Sequence, residues 1–137
     1  MSEVLRQSDF QLTRPFRITL TLALLTITFL ATTPLDYSVV PSDFGDKVEH
    51  LAAFLMLAFL TDFAFPRSPW NSKKFLLLLG YGLLLEVLQG LIPFRYFSVW
   101  DLAADALGLL IYPLILPLLQ KLPWLASRWT EQAPPHR

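Results

Sequence analysis

The chain has no cysteine, which excludes disulfides, thiolate metal sites and thiol nucleophiles and leaves the redox compartment unread. It is also poor in charge: Asp, Glu, Lys and Arg make up 16% of 137 residues, and 11 basic side chains balance 11 acidic ones. A neutral chain with no basic stripe offers nucleic acid no electrostatic footprint, so no nucleic-acid partner is expected. Zinc-type ligand spacing and a glycine-rich phosphate loop are missing as well. What is abundant is apolar. Hydrophobic residues make up 54% and the mean hydropathy is +0.48, the composition of a membrane protein. The length suits one compact domain over residues 1–137.

Four apolar runs predict an all-α membrane protein, a four-transmembrane-helix bundle with spans at about 16–34, 46–65, 75–93 and 99–119. The first contains no charge from Ile18 to Leu35, about 27 Å of helix at ~1.5 Å per residue. Its threonines Thr19, Thr21, Thr26 and Thr28 are expected to bond their own helix carbonyls. A signal peptide is the competing reading, with Arg14 and Arg17 before the core and Ala31-Thr32-Thr33 as a small-residue stretch. Against it, Pro34 would follow the cut and three more apolar segments remain. The turn Phe94–Ser98 is short enough to make the last two spans antiparallel. Pro113 and Pro117 are expected to kink the far half of the fourth. The segments before the first span and after the fourth are expected to be interfacial or flexible, with Trp124 and Trp129 suited to an aromatic belt.

Basic residues set the orientation, because short cytoplasmic loops retain Lys and Arg. Arg6, Arg14, Arg17, Arg67, Lys73, Lys74, Lys121, Arg128 and Arg137 fall on one side, against Lys47 and Arg95 on the other. Both termini of this multi-pass protein are therefore expected to be cytoplasmic.

The polar islands then share one leaflet. Asp46-Lys47-Val48-Glu49-His50 stands against the apolar run Leu51–Leu60, Glu86 and Gln89 interrupt the third span, and Arg95, Asp101 and Asp105 surround the start of the fourth. By helical rise, His50 lies about 6 Å below Asp46, Glu86 about 10 Å below Pro93 and Asp105 about 9 Å below Val99. Asp46 with His50, Glu86 with Gln89, and Asp101 with Asp105 are three or four residues apart, so each pair occupies one helix face. Gly82 and Gly108 continue two of these faces and would let neighbouring backbones approach. The bland alternatives are snorkelling of Asp46, Lys47, Glu49, Asp62 and Asp101 to the headgroups, and a structural hydrogen-bond network through Gln89 and Asp105.

At these residues the sequence resembles the VanZ-like family of small bacterial membrane proteins. The matching elements are Asp46-Lys47-x-x-His50 opening a span, Glu86-x-x-Gln89 near the end of the next, Arg95, and Asp101-x-x-x-Asp105-x-x-Gly108. They cover roughly residues 40 to 112. The position of Asp105 is commonly Asn in that family, so this chain carries one more titratable group there. The resemblance implies a place in the cytoplasmic (inner) membrane of a bacterium and a link to tolerance of the glycopeptide antibiotic teicoplanin.

Acids outnumber bases in these islands, so the site must protonate some acids, hold a cation, or pair with a cationic ligand. The leading expectation is an outer-leaflet, periplasm-facing pocket that binds and processes the anionic headgroup of an envelope lipid, such as a polyprenyl-phosphate-linked intermediate. His50, Glu86, Asp101 and Asp105 are the candidate catalytic residues: His50 and Glu86 as acid/base partners, Asp101 and Asp105 to orient them or hold a divalent metal. Asp46, Lys47, Gln89 and Arg95 are the candidate ligand-binding residues, with Arg95 clamping the phosphate. The alternatives are a non-catalytic module binding an amphiphile or partner protein through the pocket or the loop Pro34–Gly45, and a proton-relay or transport role.

Overall fold

A computed structural model of the chain describes residues 2–34 and 44–130. Four long helices, α1 (Ser2–Thr32), α2 (Gly45–Ala64), α3 (Ser72–Gly90) and α4 (Val99–Leu119), are followed by one short turn of helix, α5 (Ser127–Thr130). No strand occurs among the described residues. Most of the loop expected to join the first two spans, residues 35–43, lies outside the described residues, as does the tail beyond residue 130.

Local chemistry explains most of the boundaries. Asn71 caps α3, its side chain accepting from the Lys74 N–H at 3.1 Å. Ser98 does the same for α4, accepting from the Asp101 N–H at 3.2 Å. At the other end of α2, Arg17 donates through Nε to the Ala64 carbonyl at 3.0 Å, where the helix leaves carbonyls without partners. The first helix begins at Ser2, well ahead of the expected span, and runs through Pro15. Proline removes one backbone donor, and the Pro15 carbonyl still accepts from Thr19 Oγ1 at 2.9 Å. Thr21 and Thr28 likewise bond Arg17 and Leu24 carbonyls.

The core forms where apolar stripes meet. α2 packs most extensively against α4 and then α1, while α3 closes on α4. Phe54, Leu57, Ala58, Leu60 and Ala64 of α2 join Leu20 of α1, Leu78 of α3, and Leu109 and Tyr112 of α4. The outward faces stay apolar: Leu22, Leu25 and Phe29 of α1, Leu76, Leu77 and Leu84 of α3, and Leu110, Leu114 and Leu118 of α4 are exposed. Such surface is expected against lipid. Residues Thr13–Thr32 of α1 and Val99–Leu119 of α4 are long and apolar enough to cross a membrane. In α2 and α3 ionisable residues stand inside the helix, at Asp46, Lys47, Glu49, His50 and Asp62, and at Lys73, Lys74 and Glu86.

The cavity-bearing end of the bundle gathers the C-terminus of α1, the start of α2, the end of α3 and the start of α4. Its opposite end is tied by a cluster that sequence reasoning treats as a surface charge. Asp62 is 1% exposed, so it does not snorkel. Its Oδ1 accepts from Lys74 Nζ at 2.9 Å and Arg128 Nη2 at 2.8 Å, and its Oδ2 from the Tyr112 hydroxyl at 2.8 Å. Lys74 also donates to the Phe65 and Ser68 carbonyls, and Arg128 to those of Asp62, Pro66 and Ser68. Part of the C-terminal segment, expected to be interfacial or flexible, therefore docks on the bundle, with Leu125 and Arg128 buried and Trp129 edge-on to Phe63. Trp124 stays 72% exposed, as a belt residue would.

Candidate functional site

The site begins with one ring, His50, in the second turn of α2. Its Nδ1 lies 2.8 Å from Asp105 Oδ1 and its Nε2 lies 3.9 Å from Glu86 Oε1. Where Asp105 is ionised it can only accept, which puts a proton on Nδ1 and turns Nε2 toward Glu86. Both acids are completely buried. They reach this depth because Asp105 belongs to the buried stripe Ala104, Asp105, Gly108, Leu109 and Tyr112 of α4, and Glu86 to the stripe Lys74, Leu78, Gly82, Leu85, Glu86 and Gln89 of α3.

Glycine makes the approach possible. A Cβ at Gly82 would stand 2.5 Å from Asp105 Oδ2, and one at Gly108 would meet the Leu51 carbonyl oxygen. The two small residues thus allow α4 to sit against α3 and α2 at the level of the acids.

Glu86 is held from two sides. Its Oε2 accepts the Ser98 N–H at 2.8 Å, so the third helix grips the N-cap residue of the fourth. With its amide oxygen facing Arg95, Gln89 donates to Glu86 Oε1 at 3.2 Å and accepts from Arg95 Nη1 at 3.1 Å. Lys47 Nζ stands 3.5 Å from Asp101 Oδ1. Two carboxylate oxygens, Asp101 Oδ1 and Asp105 Oδ2, are shut off from solvent with no hydrogen bond, an arrangement that costs energy unless a charge answers it.

Above these acids opens a cavity of about 680 Å³. Its lining is mixed: Ile27, Leu30 and Ala31 of α1 with Ala53, Phe54 and Leu85 are apolar, while Asp46, Lys47, Glu49, His50, Gln89, Arg95 and Asp101 are polar. Phe94 and Tyr96 also line it, at 94% and 84% exposure. Phe94 takes a left-handed backbone, φ 67°, uncommon for a bulky side chain. It reverses the chain directly beside the site.

A family model described as VanZ/LLP1 matches residues 2–120. The chain belongs to the VanZ/LLP1 family. No curated protein and no solved structure matches it. Family membership and two membrane-length apolar helices make this VanZ/LLP1 chain a helical membrane protein.

In this VanZ/LLP1 chain the residues singled out by sequence meet in one place. His50 joins Asp105 and Glu86, Gln89 links Glu86 to Arg95, Lys47 faces Asp101, and exposed Asp46 lies at the rim. Asp101 and Asp105, expected to act as a pair, have different partners: Asp105 engages the His50 ring and Asp101 faces Lys47. Two features escape sequence reasoning. Ser98 enters through its backbone N–H, which no residue type announces. The cluster of Asp62, Lys74, Tyr112 and Arg128 draws on residues up to 66 positions apart, and Asp62 inside an apolar helix was its one visible signal.

Proposed function

We propose that the chain is a four-span protein of the bacterial cytoplasmic membrane, both termini cytoplasmic, whose outward-facing cavity binds the anionic headgroup of an envelope lipid. A polyprenyl-phosphate-linked intermediate is the ligand type. The observation that carries this reading is the mixed apolar and polar lining of the cavity. Its apolar side chains on α1 suit a lipid chain, while Arg95 and Lys47 offer cations to a phosphate. The excess of basic residues at the other end, nine against two, supports the orientation.

Arg95 offers a planar donor fork suited to phosphate oxygens, and Gln89 already fixes one of its nitrogens. His50 and Glu86 lie beneath and give the pocket an acid/base pair. The test is mass spectrometry of lipids retained by the purified protein. Wild type should carry one enriched anionic lipid that Arg95→Ala loses; identical lipid profiles would end the proposal. Any teicoplanin tolerance conferred by the chain should fall with the same variant.

One observation favours a second reading, that of a non-catalytic binding module. Both oxygens of Glu86 already accept hydrogen bonds, from Ser98 and from Gln89, as a positioning residue's would. Glu86→Gln separates the two. A binding module keeps its lipid and its cellular effect, whereas a processing enzyme keeps the lipid and loses the effect.

A further inference from the structure

The acids beneath the cavity raise a problem that hydrogen bonds within the protein do not answer. Glu86, Asp101 and Asp105 bring three carboxylates around one imidazole, and two of their oxygens are buried without a hydrogen-bond partner. One of these, Asp101 Oδ1, has only Lys47 nearby, at 3.5 Å. Phosphate entering such a place meets its own sign of charge.

The His50 ring is set up for a different occupant. With Nδ1–H given to Asp105 at 2.8 Å, Nε2 of the neutral ring would turn its lone pair toward Glu86 Oε1 at 3.9 Å. A positive charge between the two atoms, a proton or a metal ion, draws them together. A carboxylate on one nitrogen of an imidazole, fixing its tautomer and leaving the other nitrogen free, is the arrangement that orients metal-binding histidines. Ligand atoms about 2.0–2.2 Å from one tetrahedral zinc ion stand about 3.3–3.6 Å from each other. The gap between Nε2 and Oε1, 3.9 Å, is a few tenths of an ångström wider than that. One ligand atom each from His50, Glu86 and Asp101 lie within 4.8 Å of one another, so closure draws Asp101, whose side chain is 15% exposed at the mouth of the cavity, inward by about an ångström.

We infer that His50, Glu86 and Asp101 form a binding site for a divalent transition-metal ion of the zinc type, with Asp105 as the residue that positions the His50 ring. One imidazole nitrogen with two carboxylate oxygens is a donor set that zinc accepts readily, and it leaves a coordination position open toward the cavity. Magnesium fits less well, since it favours oxygen ligands and gives up its water reluctantly. The ion would neutralise the acids and present its open position where a phosphate oxygen comes to lie. What meets the ion rests on the headgroup reading; binding of the ion itself does not.

The experiment uses tag-free full-length chain in detergent, in a His136→Ala background so that His50 is the sole histidine. After treatment with a chelator, the protein is given Zn²⁺ alone, and metal content and thermal unfolding are measured. Wild type at His50 should retain about one zinc per chain and unfold at a higher temperature when loaded. His50→Ala should lose the ion. Asp101→Asn keeps the backbone cap at Ser98 and should fold unchanged, yet bind at least tenfold more weakly. Asp105→Asn should weaken binding by about 10- to 100-fold, as loss of an orienting carboxylate does. The inference is overturned if the parent retains no zinc, or if His50→Ala and Asp101→Asn retain as much as the parent. Retention of an anionic lipid by metal-free protein would leave the headgroup reading standing while this inference falls; zinc bound without any selected lipid gives the reverse.

Discussion

Gly108 and Gly80 are both glycines inside long helices, but their surroundings differ. A side chain at Gly108 would press on the Leu51 carbonyl oxygen and stand 3.0 Å from Leu55 N, whereas nothing lies within 4 Å of a Cβ at Gly80. Backbone on a packed helix cannot swing aside, so Gly108→Ala should destabilise the protein by about 1–3 kcal/mol. Gly80→Ala relieves the helix cost of glycine, worth about 1 kcal/mol, and should be neutral or stabilising. Thermal unfolding in detergent checks both; equal effects would contradict the packing described. The spacing of Gly108 three residues after Asp105 was visible in the sequence, and so was the close approach it permits. What the spacing could not show was the neighbour: Gly82 borders Asp105 itself, on another helix. Ser98 was invisible for a different reason, since its contribution to Glu86 is a backbone N–H that most residues could supply.

At the scale of elements, α2 is the axis, with His50 near one end and Asp62 near the other. The two ends differ in how completely charge is answered. Asp62 faces two cations and a tyrosine hydroxyl, and the spare donors of Lys74 and Arg128 find carbonyls. Removing the acid would leave two buried cations facing each other, so Asp62→Ala should cost about 3–5 kcal/mol. Adding Lys74→Met should restore part of that loss, because the like-charge contact is gone. A chemical or thermal denaturation series on the single and double variants tests this, and additive losses would contradict it. Helix existence, order and polar faces could be read from apolar runs and three- and four-residue spacings. The long start of α1 could not, since Pro15 reads as a first-turn residue rather than an interior one. Nor could the docking of Arg128, because the pattern around a tail residue does not say which distant carboxylate it meets.

For the whole molecule, topology and side chemistry must agree. The absence of cysteine makes the proposed orientation directly testable with single introduced thiols at exposed positions. Tyr96→Cys should react with a membrane-impermeant maleimide in intact cells, while Arg67→Cys should react only after the membrane is opened; the opposite pattern would invert the account. The central claim is that polar groups of three helices form one headgroup site. Native mass spectrometry of the purified chain titrated with a polyprenyl phosphate, and with the polyprenol of identical tail, tests it most directly. A charge-assisted hydrogen bond contributes about 1.5–3 kcal/mol, so the phosphate should bind about 10- to 100-fold more tightly than the alcohol, and Arg95→Ala should erase that preference. Equal affinity for phosphate and alcohol in wild type, or a preference unchanged in Arg95→Ala, would contradict it.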